Sequence, residues 1–223
     1  MSFILNIDTA LQAGSVCIAE NDKVIATSEN LQQNDHAAWL HPAIHALAKD
    51  AGLQLSQLSA VAITIGPGSY TGLRIAMAAA KGLCYALGIP LIGVSTLEVI
   101  AHAVKNEAKE YICPCIDARR MDIYSAVYDK ALNRVREPHA MSIDTNSFTD
   151  LLAGHHITFC GDAVKKIKSV ILSQNTIFIE RLSSASELAP LAFQHFINNV
   201  FVELAYSEPS YLREFYFQSK RKG

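Results

Sequence analysis

The segment most suited to chemistry is rich in glycine and reads Ile-Gly-Pro-Gly-Ser-Tyr-Thr-Gly-Leu-Arg over positions 65–74. An apolar stretch precedes it and a helical pattern follows it, so it connects a strand to the start of a helix. The free N–H groups of a helix start can bind a phosphate, but the segment lacks the Gly-Lys-Ser/Thr ending of a P-loop and the G-x-G-x-x-G spacing. Two interpretations stay open: a phosphate-binding loop, or a tight turn capped by Ser69 or Thr71. We call the following residues the motif loop: Gly66, Pro67, Gly68, Ser69, Tyr70, Thr71 and Gly72.

Histidines and cysteines are further candidates, because both types bind metals. His41 and His45 are four residues apart on a predicted helix, with His36 before them, and this spacing can hold a metal. A proline lies between the pair and no carboxylate stands at a ligand spacing, which favours exposed or interface histidines over a metal site. Cys113 and Cys115 form a C-x-C pair, which favours buried strand cysteines over a redox or zinc pair.

The elements that must position these residues follow one order in both halves of the chain. In the first half, apolar and alternating stretches predict β 3–8, β 14–20, β 23–28, α 35–50, β 60–65, α 71–87, β 91–94 and a helix from 96. In the second half they predict β 111–116, β 122–128, β 131–136, α 146–153, β 157–160, α 162–172, β 176–180 and α 186–202. Both halves therefore read βββαβαβα.

The repeated order predicts an α/β protein of two similar domains, residues 1–108 and 109–223, each with helices packed on a mixed sheet. It resembles the order of the actin-like (ASKHA, ribonuclease-H-like) fold that sugar kinases, Hsp70 and actin share. Asp8 and Asp117 end the first strand of each half. In actin-like phosphotransferases such acids face the metal and phosphates of a nucleotide, but neither acid here lies in a regular D-x-G-x-T loop. Residual nucleotide binding and loop-holding hydrogen bonds both stay open.

The motif loop and its flanking residues resemble the signature of one family, TsaB (YeaZ), a partner of the tRNA threonylcarbamoyl transferase TsaD. Further resemblance to this family is spread over nearly the whole chain in the family's order. The matching segments are LNIDTA at 5–10, IPLIGVSTLEVIA at 89–101, IDARRMDIYSAVY at 116–128, FCGDAVKK at 159–166 and EPSYLRE at 208–214.

The resemblance implies a role in forming N6-threonylcarbamoyladenosine at position 37 of tRNAs that read codons starting with A. In this family TsaD transfers the threonylcarbamoyl group from an AMP-linked intermediate, TsaB binds and supports TsaD, and the ATPase TsaE joins them. The implied partners are TsaD and TsaE, with tRNA present only within the complex and a self-dimer through the same helices when TsaD is absent. No cofactor is expected, although a nucleotide at the TsaD interface stays open.

TsaD-type chains resemble this one around residues 89–94 but continue with a V-N-H-x-E-G-H run, whose two histidines bind the catalytic metal. That run places Thr96 and Ile100 at the two histidine positions, and neither residue can replace imidazole as a firm ligand. The resemblance therefore implies a non-catalytic subunit without catalytic, cofactor-binding or metal residues. The alternatives are an actin-like phosphotransferase or ATPase and an inactive glycoprotease-family (M22-like) peptidase homologue.

Helix 71–87 is apolar around most of its circumference, and its small residues permit the close approach of another helix. It could lie between its own sheet and helix 35–50, or the two helices could form an interface with another actin-like chain. The family resemblance implies the second arrangement. The predicted interface residues are His36, Leu40, Ile44, Leu47, Arg74, Ala78, Lys81 and Tyr85.

Composition excludes several classes of protein. The chain has 223 residues, of which 50% are hydrophobic and 18% charged, a balance typical of globular proteins. The formal net charge of −2 argues against a basic domain that coats nucleic acid. No segment offers the roughly 20 apolar residues that span a bilayer, and the start lacks the features of a signal peptide. We therefore expect a cytoplasmic protein.

Overall fold

The computed structural model describes residues 1–32 and 35–212. Its first half contains β1 (Phe3–Asp8), β2 (Gly14–Glu20), β3 (Lys23–Asn30), α1 (His36–Asp50), a 3-10 turn (Leu55–Gln57), β4 (Leu58–Thr64), α2 (Tyr70–Leu87), β5 (Leu91–Val94) and α3 (Thr96–Val104). Its second half contains β6 (Tyr111–Asp117), β7 (Asp122–Tyr128), β8 (Arg134–Ser142), α4 (Thr149–Leu152), β9 (Ile157–Cys160), α5 (Val164–Lys168), β10 (Thr176–Ile179) and α6 (Ala185–Ile197). The predicted βββαβαβα order of each half is confirmed.

Each half forms a mixed sheet of five strands. The strand orders are β3-β2-β1-β4-β5 and β10-β9-β6-β7-β8, which are equivalent when each half is numbered from its own first strand. The first three strands of each half pair antiparallel, and the last two continue the sheet in parallel. Together, these features confirm the α/β, actin-like fold predicted from the order of elements.

One strand lies several residues later than predicted. The sequence predicts a strand at 131–136, whereas β8 spans Arg134–Ser142. The Asp129 carboxylate accepts the backbone N–H groups of Ala131 and Asn133 at 2.8 and 2.9 Å, and Leu132 between them has a positive φ of 65°. These bonds close a turn after β7, so the next strand starts only once the turn is complete.

The last helix is shorter than predicted. The sequence predicts a helix over 186–202, but α6 ends at Ile197. Asn199 has a positive φ of 54°, which interrupts the helical backbone. Its backbone N–H donates to the Phe196 carbonyl at 3.1 Å, and the backbone N–H of Val200 donates to the His195 carbonyl at 2.9 Å. The residues after α6 are therefore released from the helix and run back over the first half.

The last helix of each half packs on the sheet of the other half. In α3, apolar residues such as Leu97 and Ile100 share a core with Ile112 of β6. Conversely, Leu188 of α6 lies in one core with Ile4 of β1. The two halves of the sequence thus exchange their last helices in space. The division into domains 1–108 and 109–223 stays a prediction.

Candidate functional site

The motif loop joins β4 to α2 and contains a cis peptide bond between Gly66 and Pro67. The Ser69 hydroxyl accepts the backbone N–H of Gly72 at 3.2 Å and so caps the start of α2. Of the two caps that the sequence left open, Ser69 is the one observed. The cap satisfies one of the free N–H groups that a phosphate would otherwise need.

The backbone that follows β1 lies directly against the motif loop. The carbonyl oxygen of Ala10 accepts the Ser69 N–H at 2.6 Å, and the Thr9 hydroxyl donates to the Gly72 carbonyl at 2.7 Å. A Cβ atom at Gly68 would lie 2.3 Å from the Ala10 oxygen, and one at Gly72 would lie 2.0 Å from the Thr9 oxygen. Glycine is needed because two backbones touch, which favours the tight turn over the phosphate-binding loop.

Asp8 ends β1 beneath this loop and is 1% exposed. One oxygen of its carboxylate accepts the Ala10 N–H at 3.0 Å and the Thr64 hydroxyl at 2.7 Å. Burial raises the pKa of Asp8 above its usual value of 3.8, although its hydrogen bonds act in the opposite direction. Asp8 therefore ties the ends of β1 and β4 together, as the loop-holding interpretation expects.

Asp117, the equivalent acid of the second half, lies in a different environment. Its carboxylate is 2.8 Å from the Lys166 ammonium and accepts the Arg119 N–H at 2.6 Å. The Asp117 N–H in turn donates to the Asp162 carboxylate at 2.7 Å. Burial raises the pKa of Asp162. Asp117 is thus also engaged by its own loop, but at the surface and through an ion pair.

The outer face of α2 carries the stripe predicted from the sequence. Arg74, Ala78 and Tyr85 are exposed, with Tyr85 at 84%, and Lys81 is half-buried. Gly82 lies on the same face, and apart from its chain neighbours and the backbone of its own helix no described atom is within 4 Å of the position that a Cβ atom would occupy there. A glycine inside a helix costs about 1 kcal/mol relative to alanine, and no contact within the described chain requires one here.

The predicted residues of α1 lie elsewhere. Four of the residues predicted to meet a partner are buried in the chain's own core: His36 (8% exposed), Leu40 (0%), Ile44 (2%) and Leu47 (4%). This placement corrects their assignment to a partner-facing surface. The helical spacing of these residues marks the side of α1 that packs on the sheet, and the sequence pattern alone does not distinguish a core from an interface. The exposed side of α1 carries His41 and His45 instead.

The sequence reasoning missed the segment that follows α6. Residues 202–211, here called the strap, run along α2 and over the motif loop. Lys81 donates to two strap carbonyls, at 3.0 and 2.9 Å, and Arg74 donates to the Tyr211 hydroxyl at 3.1 Å. One sequence feature did point to this region, because segment 208–214 is among the segments that resemble the TsaB family. The last two residues of that segment lie outside the described range.

The other candidate ligands are buried or scattered. Cys113 and Cys115 are fully buried in β6, with their sulfur atoms 3.6 Å apart, as expected for strand cysteines. Thr96 and Ile100, at the two histidine positions of the transferase run, are also fully buried. Among residues 1–32 and 35–212 no group of three or more His, Cys, Asp or Glu side chains could hold a metal ion. No helix in that part of the chain is long and apolar enough to cross a membrane.

Comparisons with known proteins relate the chain to proteins of tRNA threonylcarbamoyladenosine biosynthesis. A family model described as TsaD, tRNA N6-adenosine threonylcarbamoyltransferase, matches residues 23–215. The chain is 30% identical over 222 residues to the tRNA threonylcarbamoyladenosine biosynthesis protein TsaB of Escherichia coli, covering 94% of each chain. It is 37% identical to TsaB of Bacillus subtilis over 125 residues, which cover 56% of this chain and 54% of that protein. The solved structure of YeaZ from Pseudomonas aeruginosa superimposes with a TM-score of 0.83 at 26% identity, covering 95% of this chain and 100% of that one.

Proposed function

Because this chain belongs to the TsaB (YeaZ) family of tRNA threonylcarbamoyladenosine biosynthesis proteins, we propose that it acts as the non-catalytic partner of the transferase TsaD. It would bind TsaD and stabilise the conformation that transfers the threonylcarbamoyl group. Its contribution would then be a binding free energy that favours one state of the transferase over others.

The observation that carries this proposal is the outer face of α2. Ala78 and Gly82 are exposed small residues one helical turn apart, and small residues let the backbones of two helices approach closely. Tyr85 beside them is 84% exposed, and tyrosine is enriched at protein interfaces. Since nothing within the described chain requires a glycine at position 82, a partner helix at this face is the best reason for it.

The absence of transferase chemistry in the chain is supported by the residues at the metal positions. Thr96 and Ile100 offer no imidazole, and both are fully buried in the core around α3. Asp8, the acid that would face a nucleotide's metal, is buried and bonded to Ala10 and Thr64. We therefore propose that neither a metal nor a nucleotide is bound at these places for catalysis.

The finer features of the proposal follow from family membership. The product would be N6-threonylcarbamoyladenosine at position 37 of tRNAs that read codons starting with A. TsaE would join the complex, tRNA would be bound only within it, and a nucleotide could lie at the TsaD interface. Without TsaD, the same outer face of α2 would support a homodimer. The cytoplasm is the proposed location.

The test is reconstitution of the modification from purified components. With TsaD, TsaE, ATP, unmodified tRNA and the threonylcarbamoyl donor, we expect the product, detected by mass spectrometry of digested tRNA, only when this chain is added. The chain alone should give none. Product from the chain alone, or equal product in its absence, would contradict the proposal.

A nucleotide titration separates the proposal from the phosphotransferase alternative. By calorimetry, we expect no tight ATP binding to the isolated chain, because the Thr9–Ala10 backbone lies against the start of α2. A low-micromolar dissociation constant, about −8 kcal/mol, would favour the actin-like phosphotransferase instead.

A further inference from the structure

The strap is held by contacts at both of its ends and in its middle. At its start, the N–H of Val202 donates to the Leu91 carbonyl of the edge strand β5 at 3.0 Å. Near its end, the N–H of Ser210 donates to the Ile65 carbonyl at 2.7 Å, directly before the motif loop. Val202 and Leu204 also pack on the apolar core under α2. The strap is thus docked on the first half over its whole length.

Two cations of α2 are used to hold the strap. The Lys81 ammonium donates to the carbonyls of Ala205 and Ser207. The Arg74 guanidinium lies 4.1 Å from the centre of the Tyr70 ring and donates to the Tyr211 hydroxyl, while the rings of Tyr70 and Tyr211 lie 5.3 Å apart. A hydrogen bond from a charged donor is stronger than a neutral one, so these contacts fix the outer part of α2 and the strap relative to each other.

We infer that the strap and the outer face of α2 form one composite docking surface, in which Lys81 and Arg74 are positioning residues for the strap rather than direct contacts of the partner. The inference rests on the proposed function and names the surface by which the transferase subunit is recognised. Tyr206 of the strap is 80% exposed and Tyr85 of α2 is 84% exposed. Two exposed tyrosines on adjoining segments, with the small residues Ala78 and Gly82, fit an apolar helical face of a second chain.

The physical reason is preorganisation. A ten-residue segment that was ordered only on binding would oppose association by its lost conformational entropy. Because Lys81 and the backbone bonds order the strap beforehand, the partner meets a surface that already has its final shape. Lys81 would therefore affect binding even though its ammonium is directed at carbonyl oxygens of its own chain.

A double-mutant cycle tests this role. Lys81→Met removes the ammonium but keeps the length of the side chain. A chain that ends at Leu204 keeps the contacts of Val202 and Leu204 but loses both acceptors of Lys81, and a chain that ends at Leu212 keeps every described contact. Affinity for TsaD is measured by calorimetry, and folding by thermal unfolding. Lys168→Met, at an exposed position of α5, is the control for loss of a lysine charge.

If Lys81 acts through the strap, Lys81→Met weakens TsaD binding about 5- to 10-fold in the full chain and less than about 2-fold in the chain ending at Leu204. The chain ending at Leu204 should itself bind about 10-fold or more weakly. Lys81→Arg, which can also donate to two carbonyls, should restore most of the affinity. Hydrogen exchange of the Lys81→Met chain should speed up at Ser207 and Ser210 while Val202 stays protected.

Equal weakening by Lys81→Met in the full and the shortened chain would mean that Lys81 contacts the partner directly, which would overturn the inference. Unchanged binding by both the Lys81→Met chain and the chain ending at Leu204 would also overturn it, because the strap would then lie outside the docking surface. Failure of the unaltered chain to bind TsaD at all would instead refute the proposed function. If the shortened chain does not fold, the exchange pattern and the Lys81→Arg rescue still decide the outcome.

Discussion

The two halves of the molecule have the same topology but present different surfaces. In the first half, α1 and α2 are 15 and 18 residues long, whereas their counterparts α4 and α5 have 4 and 5 residues. The sheets have equivalent strand orders, so the two halves differ in the lengths of these helices rather than in their sheets. The long helix with an exposed small-residue stripe belongs to the first half alone among the described residues.

The loops that follow the fourth strand of each half show what the two halves share. Gly66 and Gly161 both have a positive φ, of 113° and 110°, and each would place a Cβ atom within 2.7 Å of a backbone oxygen. After that glycine the halves diverge. The first half adds the motif loop and buries Asp8, and the second half starts a short helix whose Lys166 pairs with the exposed Asp117. A shared backbone turn thus supports two different side-chain environments.

The largest effect is expected at the glycine that begins the shared turn in each half. Gly66→Ala would place a Cβ atom 2.7 Å from the Ser210 oxygen, and Gly161→Ala would place one 2.2 Å from the Cys115 oxygen, both at a positive φ. We expect each change to lower the free energy of unfolding by about 3 kcal/mol or more, as measured by urea denaturation. Gly154→Ala, with no described atom within 4 Å, is the control. Tolerance of Gly161→Ala alone would break the equivalence of the two loops.

The next effect tests the difference between the surfaces of the halves. Ala78→Arg adds a large side chain to the exposed stripe of α2, so it should weaken TsaD binding about 100-fold, or about 2.8 kcal/mol. Stability should stay within about 1 kcal/mol, because the position is exposed. Ala153→Arg, at an exposed alanine of the second half, should leave binding unchanged.

Calorimetry with TsaD and thermal unfolding of both variants measure these two quantities. An unfolded Ala78→Arg chain would mean that the stripe supports the chain's own core. A folded chain with normal TsaD binding and tRNA modification would place the interface elsewhere.

A pH dependence distinguishes the two strand-ending acids. Burial raises the pKa of Asp8 above 3.8 in the folded protein, so between 3.8 and the raised value the folded state binds this proton more tightly than the unfolded state. Stability contributed by Asp8 is therefore complete below pH 3.8 and is lost as the pH rises through the raised pKa. Asp8→Asn lacks this loss, so its free energy of unfolding relative to that of the parent should increase with pH over this range.

Urea denaturation of both chains at several pH values between 4 and 8, about the range where folded proteins are most stable, measures the difference. Asp117→Asn is the matched variant of the second half. It removes a partly exposed ion pair, in which the side chains of Asp117 and Lys166 are 43% and 14% exposed, and should cost less than about 1 kcal/mol, with the cost decreasing as salt is added. A constant difference between Asp8→Asn and the parent across this range would show that Asp8 does not titrate as a buried acid.

The smallest effect sharpens the comparison at a single helix position. Gly82→Ala finds no described neighbour within 4 Å, so it should stabilise the chain by about 0.5–1 kcal/mol through helix propensity. If the glycine serves a partner helix, the same variant should bind TsaD more weakly despite its greater stability. Higher stability with unchanged affinity would remove the main reason for placing the partner there.

Much of the fold could be predicted because its signals are local. The strands β1, β2 and β5 have the predicted bounds, 3–8, 14–20 and 91–94, since each combines an apolar pattern with a turn signal. The shift of β8 could not be predicted, because the turn before it depends on side-chain bonds of Asp129. The early end of α6 depends likewise on a left-handed Asn199.

The candidate site was likewise predicted only in part from the sequence. The exposure of Arg74, Ala78 and Tyr85 agrees with the stripe predicted from helical spacing. The assignment of Leu40, Ile44 and Leu47 to a partner surface was wrong, because an apolar face has the same spacing whether it meets its own sheet or another chain. The spacing of apolar residues shows which face of a helix is apolar, and only the tertiary structure shows what that face packs against.

The sequence by itself determined the order of elements and the family, since each depends on residues that are close in the chain, and it left the glycine-rich segment as either a capped turn or a phosphate-binding loop. Only the tertiary structure decided which backbone the glycines approach, which acid is buried and what Lys81 holds. The Thr9 oxygen beside Gly72 and the Ser207 carbonyl beside Lys81 are distant in sequence, and no local pattern encodes such a contact. Thr9 meets Gly72 because β1 and β4 pair in parallel and their following segments lie at one edge of the sheet, and Ser207 meets Lys81 because the strap returns to the first half. Both contacts exist only once the chain has folded.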